Sequence, residues 1–186
     1  MNRIKNFFFV LFRIWKYKWL SDCSNVSGKP KLFHPLLLKG KGKISFGKNV
    51  QIGVVASANF YSHYTYLEAR NAESEINIGD NVSINNAFSA EAFSKITIQN
   101  NVLIGVNCSI MDNDGHNLDS DKRLSDDIKS EAVFIAENVF LGDNITILKG
   151  VTIGKNSVIG NGSIVTKSIP ENVIAAGNPA QIIRDL

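Results

Sequence analysis

Cysteine, histidine, long apolar runs and acids near the N-terminus are what this sequence has little of. Two cysteines, Cys23 and Cys108, are too few for a disulfide framework and form no CxxC pair. That scarcity fits a reducing compartment. Three histidines, His34, His63 and His116, are widely scattered, whereas a zinc site needs ligands that converge. The apolar run from Phe7 to Phe12 is far shorter than the about 20 residues that span a bilayer. No small-residue cleavage site follows it, which argues against a signal peptide. The first 50 residues hold one acid, Asp22, against eleven Lys or Arg, while the rest hold nine bases and sixteen acids. A basic head on an acidic body points to an anionic partner near the N-terminus. No nucleic-acid motif accompanies the charge, so a membrane surface is the better fit.

What is present suits one domain with short appendages: 186 residues, 44% hydrophobic and 20% charged. Residues 1–20, MNRIKNFFFVLFRIWKYKWL, carry five cations, no anion, four Phe, two Trp and one Tyr. That composition suits a segment lying in a lipid headgroup region. On a helical wheel Lys5, Arg13 and Lys16 share a face, with Phe9 and Phe12 on or beside it. A helix packed against the chain's own oligomer is the other reading.

The dominant pattern is a repeat of six. Aliphatic residues recur at Ile135, Leu141, Ile147, Ile153, Ile159 and Val165, at Ile98, Ile104 and Ile110, at Ile78 and Ile84, and at Phe46 and Ile52. Seven of the fourteen glycines directly follow Ile, Leu or Phe, about twice what composition gives. Asn recurs three positions after the aliphatic residue, at 49, 81, 101, 107, 113, 138, 144 and 156. A helix would repeat at three and four, and a sandwich would space longer strands. A strict six instead describes a short strand and a tight corner, with Gly and Asn supplying left-handed backbone at the corners. The aliphatic residue points inward, as does a small residue four later: Val50, Val82, Cys108, Val139, Ser157, Ser163. Three units close a triangular coil of about 18 residues, and coils stack at about 4.8 Å. The period does not set the handedness of the coil.

The register breaks twice. A two-residue bulge lies between Ala90 and Ile98. A polar, acidic excursion, MDNDGHNLDSDKRLSDDIKSEA, leaves the coil between Ile110 and Ile135, a natural place for function on a rigid scaffold. The expected organisation is a helical segment over 1–28, a parallel β-helix over 29–169 with an active-site loop at 111–134, and a cap over 170–186.

The stretches IGDNVSIN (78–85), NVLIGVNCSIMDNDGH (101–116) and NVFLGDNITILKGVTIGKNSVIGNGSIVTKSIPENVIAAGNPAQIIR (138–184) resemble the hexapeptide-repeat acetyltransferases. The likeness is to the maltose, galactoside and surface-polysaccharide O-acetyltransferases, and it covers more than half the chain. Residues 1–45 do not match that family's N-terminal region. The resemblance implies a left-handed β-helix and a homotrimer with each active site between two subunits. It implies acetyl-CoA as acyl donor, a carbohydrate acceptor and no required metal. It puts the catalytic histidine at His116 and the acceptor-contacting Asn at Asn85. Its CoA contacts fall at Gly142, Asn161, Thr166, Lys167 and Arg184. This chain departs from the family at Phe140, where Trp is common, at Asn161, where Ala is common, and at Asp143, where a small residue is common. An acidic acceptor contact of the sugar enzymes falls near Glu91, shifted by about two residues.

The residues carry matching chemistry. His116 stands six after Ile110, where the repeat calls for an aliphatic side chain, and it opens the excursion. An imidazole with an ordinary pKa of about 6.5 can take a proton at neutral pH. Transfer of an acyl group from a thioester to a hydroxyl needs that help. The developing oxyanion needs a donor, expected from a backbone N–H near Gly142. Asp112 and Asp114 could orient the imidazole or belong to a solvated acidic loop. DNDG begins like a calcium loop, but His116 at its fifth position and the absence of Glu at its twelfth exclude that. Lys167 and Arg184 suit CoA phosphates, and Cys108 reads as core packing.

The expected activity is O-acetylation of a sugar hydroxyl, that of a bacterial surface polysaccharide or its precursor. An N-acetyltransferase of an amino sugar or nucleotide-linked amino sugar is the main rival. A γ-carbonic-anhydrase-like metalloenzyme is a remote one, because Asp121 stands where that family has a histidine five residues after His116. The expected location is cytoplasmic, with residues 1–20 either at the inner face of the cytoplasmic membrane or packed on the trimer.

Overall fold

The structure is a computed structural model and describes residues 7–186. Arg3 and Lys5, part of the basis for the N-terminal expectation, lie outside the described residues. Three parallel sheets form the sides of a left-handed, three-sided β-helix. Face A stacks Asn25–Ser27, Lys43–Phe46, Glu75–Ile78, Lys95–Ile98, Val133–Ile135 and Thr152–Ile153. Face B runs from Lys31–Leu32 up to Val158–Ile159, and face C from Leu36–Gly40 up to Ile164–Val165. The coil starts at Asn25, a little before the expected residue 29, because Asn25–Ser27 already pairs with Lys43–Ser45.

The six-residue repeat stacks in register. On face A, Phe46, Ile78, Ile98, Ile135 and Ile153 form one column. On face B the column is Ile52, Ile84, Ile104, Leu141 and Ile159. On face C it is Leu67, Ala90, Ile110, Ile147 and Val165. All of these are buried, as are the six small residues expected four positions later. Burial pushes the Cys108 thiol up to about 11, which keeps it protonated and inert.

The corners divide their work differently from the expectation. Seven of the eight predicted corner Asn residues do have positive φ, from 57° to 61° at six of them and 63° at Asn156. Their amides also bond along the stack, as from Asn138 Nδ2 to Asn156 Oδ1 at 3.0 Å and from Asn156 Nδ2 to Asn172 Oδ1 at 2.7 Å. The exception, Asn113, turns the excursion instead: its Oδ1 accepts the Gly115 N–H at 2.9 Å. Among the seven glycines after an aliphatic residue, only Gly53 has positive φ. The other six are glycine for lack of space, since a Cβ there would lie under 3.0 Å from the next coil.

The C-terminal cap is an antiparallel hairpin, Val173–Gly177 with Ala180–Asp185, that extends face B. At the other end a π-type turn, Phe7–Leu11, leads into α1, Phe12–Leu20. No helix among the described residues is long and apolar enough to cross a membrane. Residues 53–64 form a second excursion that the sequence pattern did not reveal. Buried Asn86 ties it down by accepting from Val54 N–H at 3.0 Å and donating to the Val54 and Ala58 carbonyls. Buried His34 bonds the Asn59 and Ser62 carbonyls through Nε2 at 3.2 and 3.0 Å.

Candidate active site

The main excursion springs from the corner between faces C and A and runs from Met111 to Val133. Asp112 is fully buried and accepts the Phe93 and Ser94 N–H groups, each at 2.7 Å. Those two residues belong to the bulge between Ala90 and Ile98, so one side chain holds both register breaks together. Asp114 pairs with Lys149 at 2.6 Å, pinning the excursion to the coil above. Neither carboxylate orients His116, and neither is a free member of a solvated loop.

His116 is exposed, and its Nδ1 lies 3.1 Å from the Arg123 carbonyl oxygen. A carbonyl can only accept, so Nδ1 carries the proton and Nε2 presents its lone pair to solvent. The orienting group is thus a backbone carbonyl seven residues further along the same excursion, for which the sequence carries no signal. At the base of the excursion Met111, Asn113, Asp114, Gly115, Lys149 and Thr166 line a cleft of about 390 Å³ with Leu148. Lys167 follows Thr166 and is exposed.

Asn85 sits at a different corner, between faces B and C. Its Oδ1 accepts the Asn86 N–H at 2.8 Å. A backbone N–H can meet only the amide oxygen, so Nδ2 is the donor that remains. Asn85 shares a shallow cleft with Val54, Leu103, Phe140 and Asp143. Gly142 and Asn161 belong to the same corner. Gly142 is buried, its N–H donated to Ile159 O at 2.9 Å. Asn161 is exposed but its Oδ1 accepts the Asp143 N–H at 2.9 Å. The Asn144 N–H goes to Val106 O at 2.8 Å. The expected backbone oxyanion donor near Gly142 is therefore already spent within the coil, because each of these N–H groups is needed to stack one turn on the next. Arg184 lies on the exposed cap hairpin, opposite Ile174, and donates to Asp185 O at 2.9 Å.

Face C separates the two groups. From Asn107 at one corner to Asp112 at the other is five residues of extended chain, about 16 Å. One chain thus brings His116, Thr166 and Lys167 to one edge of the prism and Asn85, Gly142 and Asn161 to another. Between the edges, face C carries a cleft of about 420 Å³ lined by His63, Tyr64, Tyr66, Ser89, Glu91 and Asn107. Glu68 and Glu91 stand in register there, and Tyr66 donates to Glu68 at 2.7 Å. Burial, and then the neighbouring Glu68 carboxylate, hold Glu91 above the usual carboxylate range. Tyr64 and Tyr66 belong to a stretch outside the aliphatic repeat and were not singled out in the sequence. Of the other histidines, His34 is sealed in the core with Nε2 on two carbonyls, and His63 Nδ1 lies 2.9 Å from Ser62 Oγ.

The bacterial transferase hexapeptide family, six repeats, matches residues 132–167. Among solved structures, a hexapeptide-repeat acetyltransferase of Vibrio cholerae O1 biovar eltor in complex with acetyl coenzyme A is 28% identical. The match covers 75% of this chain and 69% of that one, with a TM-score of 0.63. A galactoside acetyltransferase in complex with coenzyme A is 39% identical over 65% of this chain and 58% of that one, TM-score 0.59. The polySia-specific acetyltransferase NeuO is 26% identical over 88% of this chain and 83% of that one, TM-score 0.61. No curated protein matches by sequence. The chain carries the bacterial transferase hexapeptide repeat and shares its fold with hexapeptide-repeat acetyltransferases.

Proposed function

We propose that the chain transfers an acetyl group from acetyl-CoA to a sugar hydroxyl, that of a bacterial surface polysaccharide or its precursor. The observation that carries this reading is His116, raised on the excursion with Nδ1 tied to the Arg123 carbonyl and Nε2 open. In the reaction Nε2 takes the proton of the acceptor hydroxyl as its oxygen attacks the thioester carbonyl carbon. The tetrahedral intermediate collapses with loss of the CoA thiolate, which recovers the proton from the imidazolium. Asn85 Nδ2, the donor that the bond to Asn86 leaves over, is a suitable donor to the oxyanion or to the acceptor. Thr166, Lys167 and Arg184 suit the cofactor's amide and phosphate groups. The face C cleft suits a carbohydrate, with tyrosine rings for its C–H faces and carboxylates for its hydroxyls. Because Asn85 and His116 lie on different edges, a complete site forms where the His116 edge of one subunit meets the Asn85 edge of the next. That favours the homotrimer implied by the resemblance, and the location would be cytoplasmic, where acetyl-CoA is made.

A CoA-release assay over sugars, nucleotide sugars, amino sugars and lipid-linked oligosaccharides tests the proposal. An ester-linked, base-labile acetyl product supports it. An amide-linked product, or acetyl transfer with amino sugars alone, overturns the O-acetyl assignment.

A further inference from the structure

The N-terminal helix is fixed to the body by one side only. Val10 is buried, and Tyr17 stacks on Tyr64 with ring centroids 4.5 Å apart. Arg13 donates to the Phe60 carbonyl at 3.0 Å and also to the His63 carbonyl. These contacts hold the helix against the 53–64 excursion and set which way its other side faces. That other side is Phe8, Phe12, Trp15 and Trp19, spaced four, three and four apart and so aligned along one stripe. The four are 60%, 50%, 64% and 77% exposed, and Phe9 and Leu11 beside them are about half exposed. A soluble surface seldom leaves so much contiguous aromatic area bare.

The charge around the stripe distinguishes among occupants. Lys16 and Lys18 are exposed on the same helix, and Lys29 and Lys31 are exposed on the first coil that it abuts. None of the four has a carboxylate within ion-pairing distance among the described residues. Lys18 and Lys29 also flank a mainly apolar groove of about 330 Å³, lined by Val26, Pro30, Leu32, Leu36, Leu38 and Phe46, at this end of the prism. Two copies of the stripe brought together would bring like charges together. An anionic surface with an apolar interior meets both the cations and the aromatics. We infer that this end of the molecule docks on an anionic lipid surface, with the Phe8–Trp19 stripe in the headgroup region.

Trp15 and Trp19 are the only tryptophans in the chain, so intrinsic fluorescence reports on the stripe directly. With the full chain, phosphatidylcholine vesicles containing phosphatidylglycerol shift the emission to the blue and sediment the protein. Pure phosphatidylcholine vesicles do so at least roughly tenfold less well, and Lys16→Ala/Lys18→Ala weakens binding to the anionic vesicles by roughly tenfold or more. Phe12→Ser/Trp15→Ser, at exposed positions, abolishes sedimentation while leaving the circular dichroism and oligomeric mass unchanged. Emission already blue-shifted in buffer and unaffected by either vesicle would show the stripe covered by another copy of the chain. That result overturns the inference, as does a double aromatic variant that still sediments or that loses oligomeric mass.

Discussion

His116 can act as a base only through Nε2, because the Arg123 carbonyl holds the proton on Nδ1. The partner is main chain, so the identity of residue 123 is unimportant while the path of the excursion is decisive. His116→Ala is expected to lower turnover by about 10²–10⁴-fold with the fold intact, and Arg123→Ala to leave turnover within a few-fold of the parent. Steady-state CoA release on both variants checks this. A large loss in Arg123→Ala would mean that the guanidinium, not the carbonyl, matters. His34 bears on stability rather than on proton transfer. Burial holds its imidazole below the ordinary value. Below about pH 6.5 the unfolded chain binds a proton there that the folded chain refuses, so stability falls as pH drops and is fully present above that value. Melting temperatures from pH 8 to pH 5 should decline on the acid side, and His34→Gln should flatten that decline. Parallel profiles for parent and variant would assign the acid sensitivity to other groups.

The excursion and the bulge are one device at the scale of elements. Asp112 accepts two N–H groups from the bulge and is fully buried. Asp112→Ala leaves both donors without partners, a loss of about 2–4 kcal/mol, or a fall in melting temperature of roughly 5–15 °C. Differential scanning calorimetry checks this, and a variant melting with the parent would show that water replaces the carboxylate. The coil itself was legible in the sequence because each strand obeys one local rule. An aliphatic residue every six positions, with Asn three later, is enough to determine which side chains stack. Where the chain leaves that rule, legibility fails. Asp112 reads as one more acid in an acidic stretch, and only its position above Phe93 and Ser94 makes it structural. The 53–64 excursion left no trace in the repeat beyond the gap after Ile52, and its anchors, His34, Asn86 and Arg13, come from three distant parts of the chain. Left-handed backbone accounts for Gly53 but not for the other six glycines that follow Ile, Leu or Phe, since close approach of coils cannot be seen in a single six-residue unit.

At the scale of the whole molecule, the split between two edges of one prism makes a prediction that a self-contained site does not. If His116 of one subunit works with Asn85 of the next, each variant lacks a different half of every site. Asn85→Ala and His116→Ala should both be nearly inactive alone. Unfolded together and refolded as a mixture, they should form hybrid assemblies. An interface that takes its His116 edge from an Asn85→Ala subunit and its Asn85 edge from a His116→Ala subunit is complete. With equal amounts and random assembly that occurs at about one interface in four, so about a quarter of parental turnover should return. The same mixture kept native, with no exchange of subunits, should stay inactive, which separates complementation from residual activity of either variant. If refolded mixtures recover nothing while refolded parent recovers fully, both residues serve one chain's site. The excursion would then have to swing across face C, over the Tyr64, Tyr66 and Glu91 cleft, to bring His116 to Asn85.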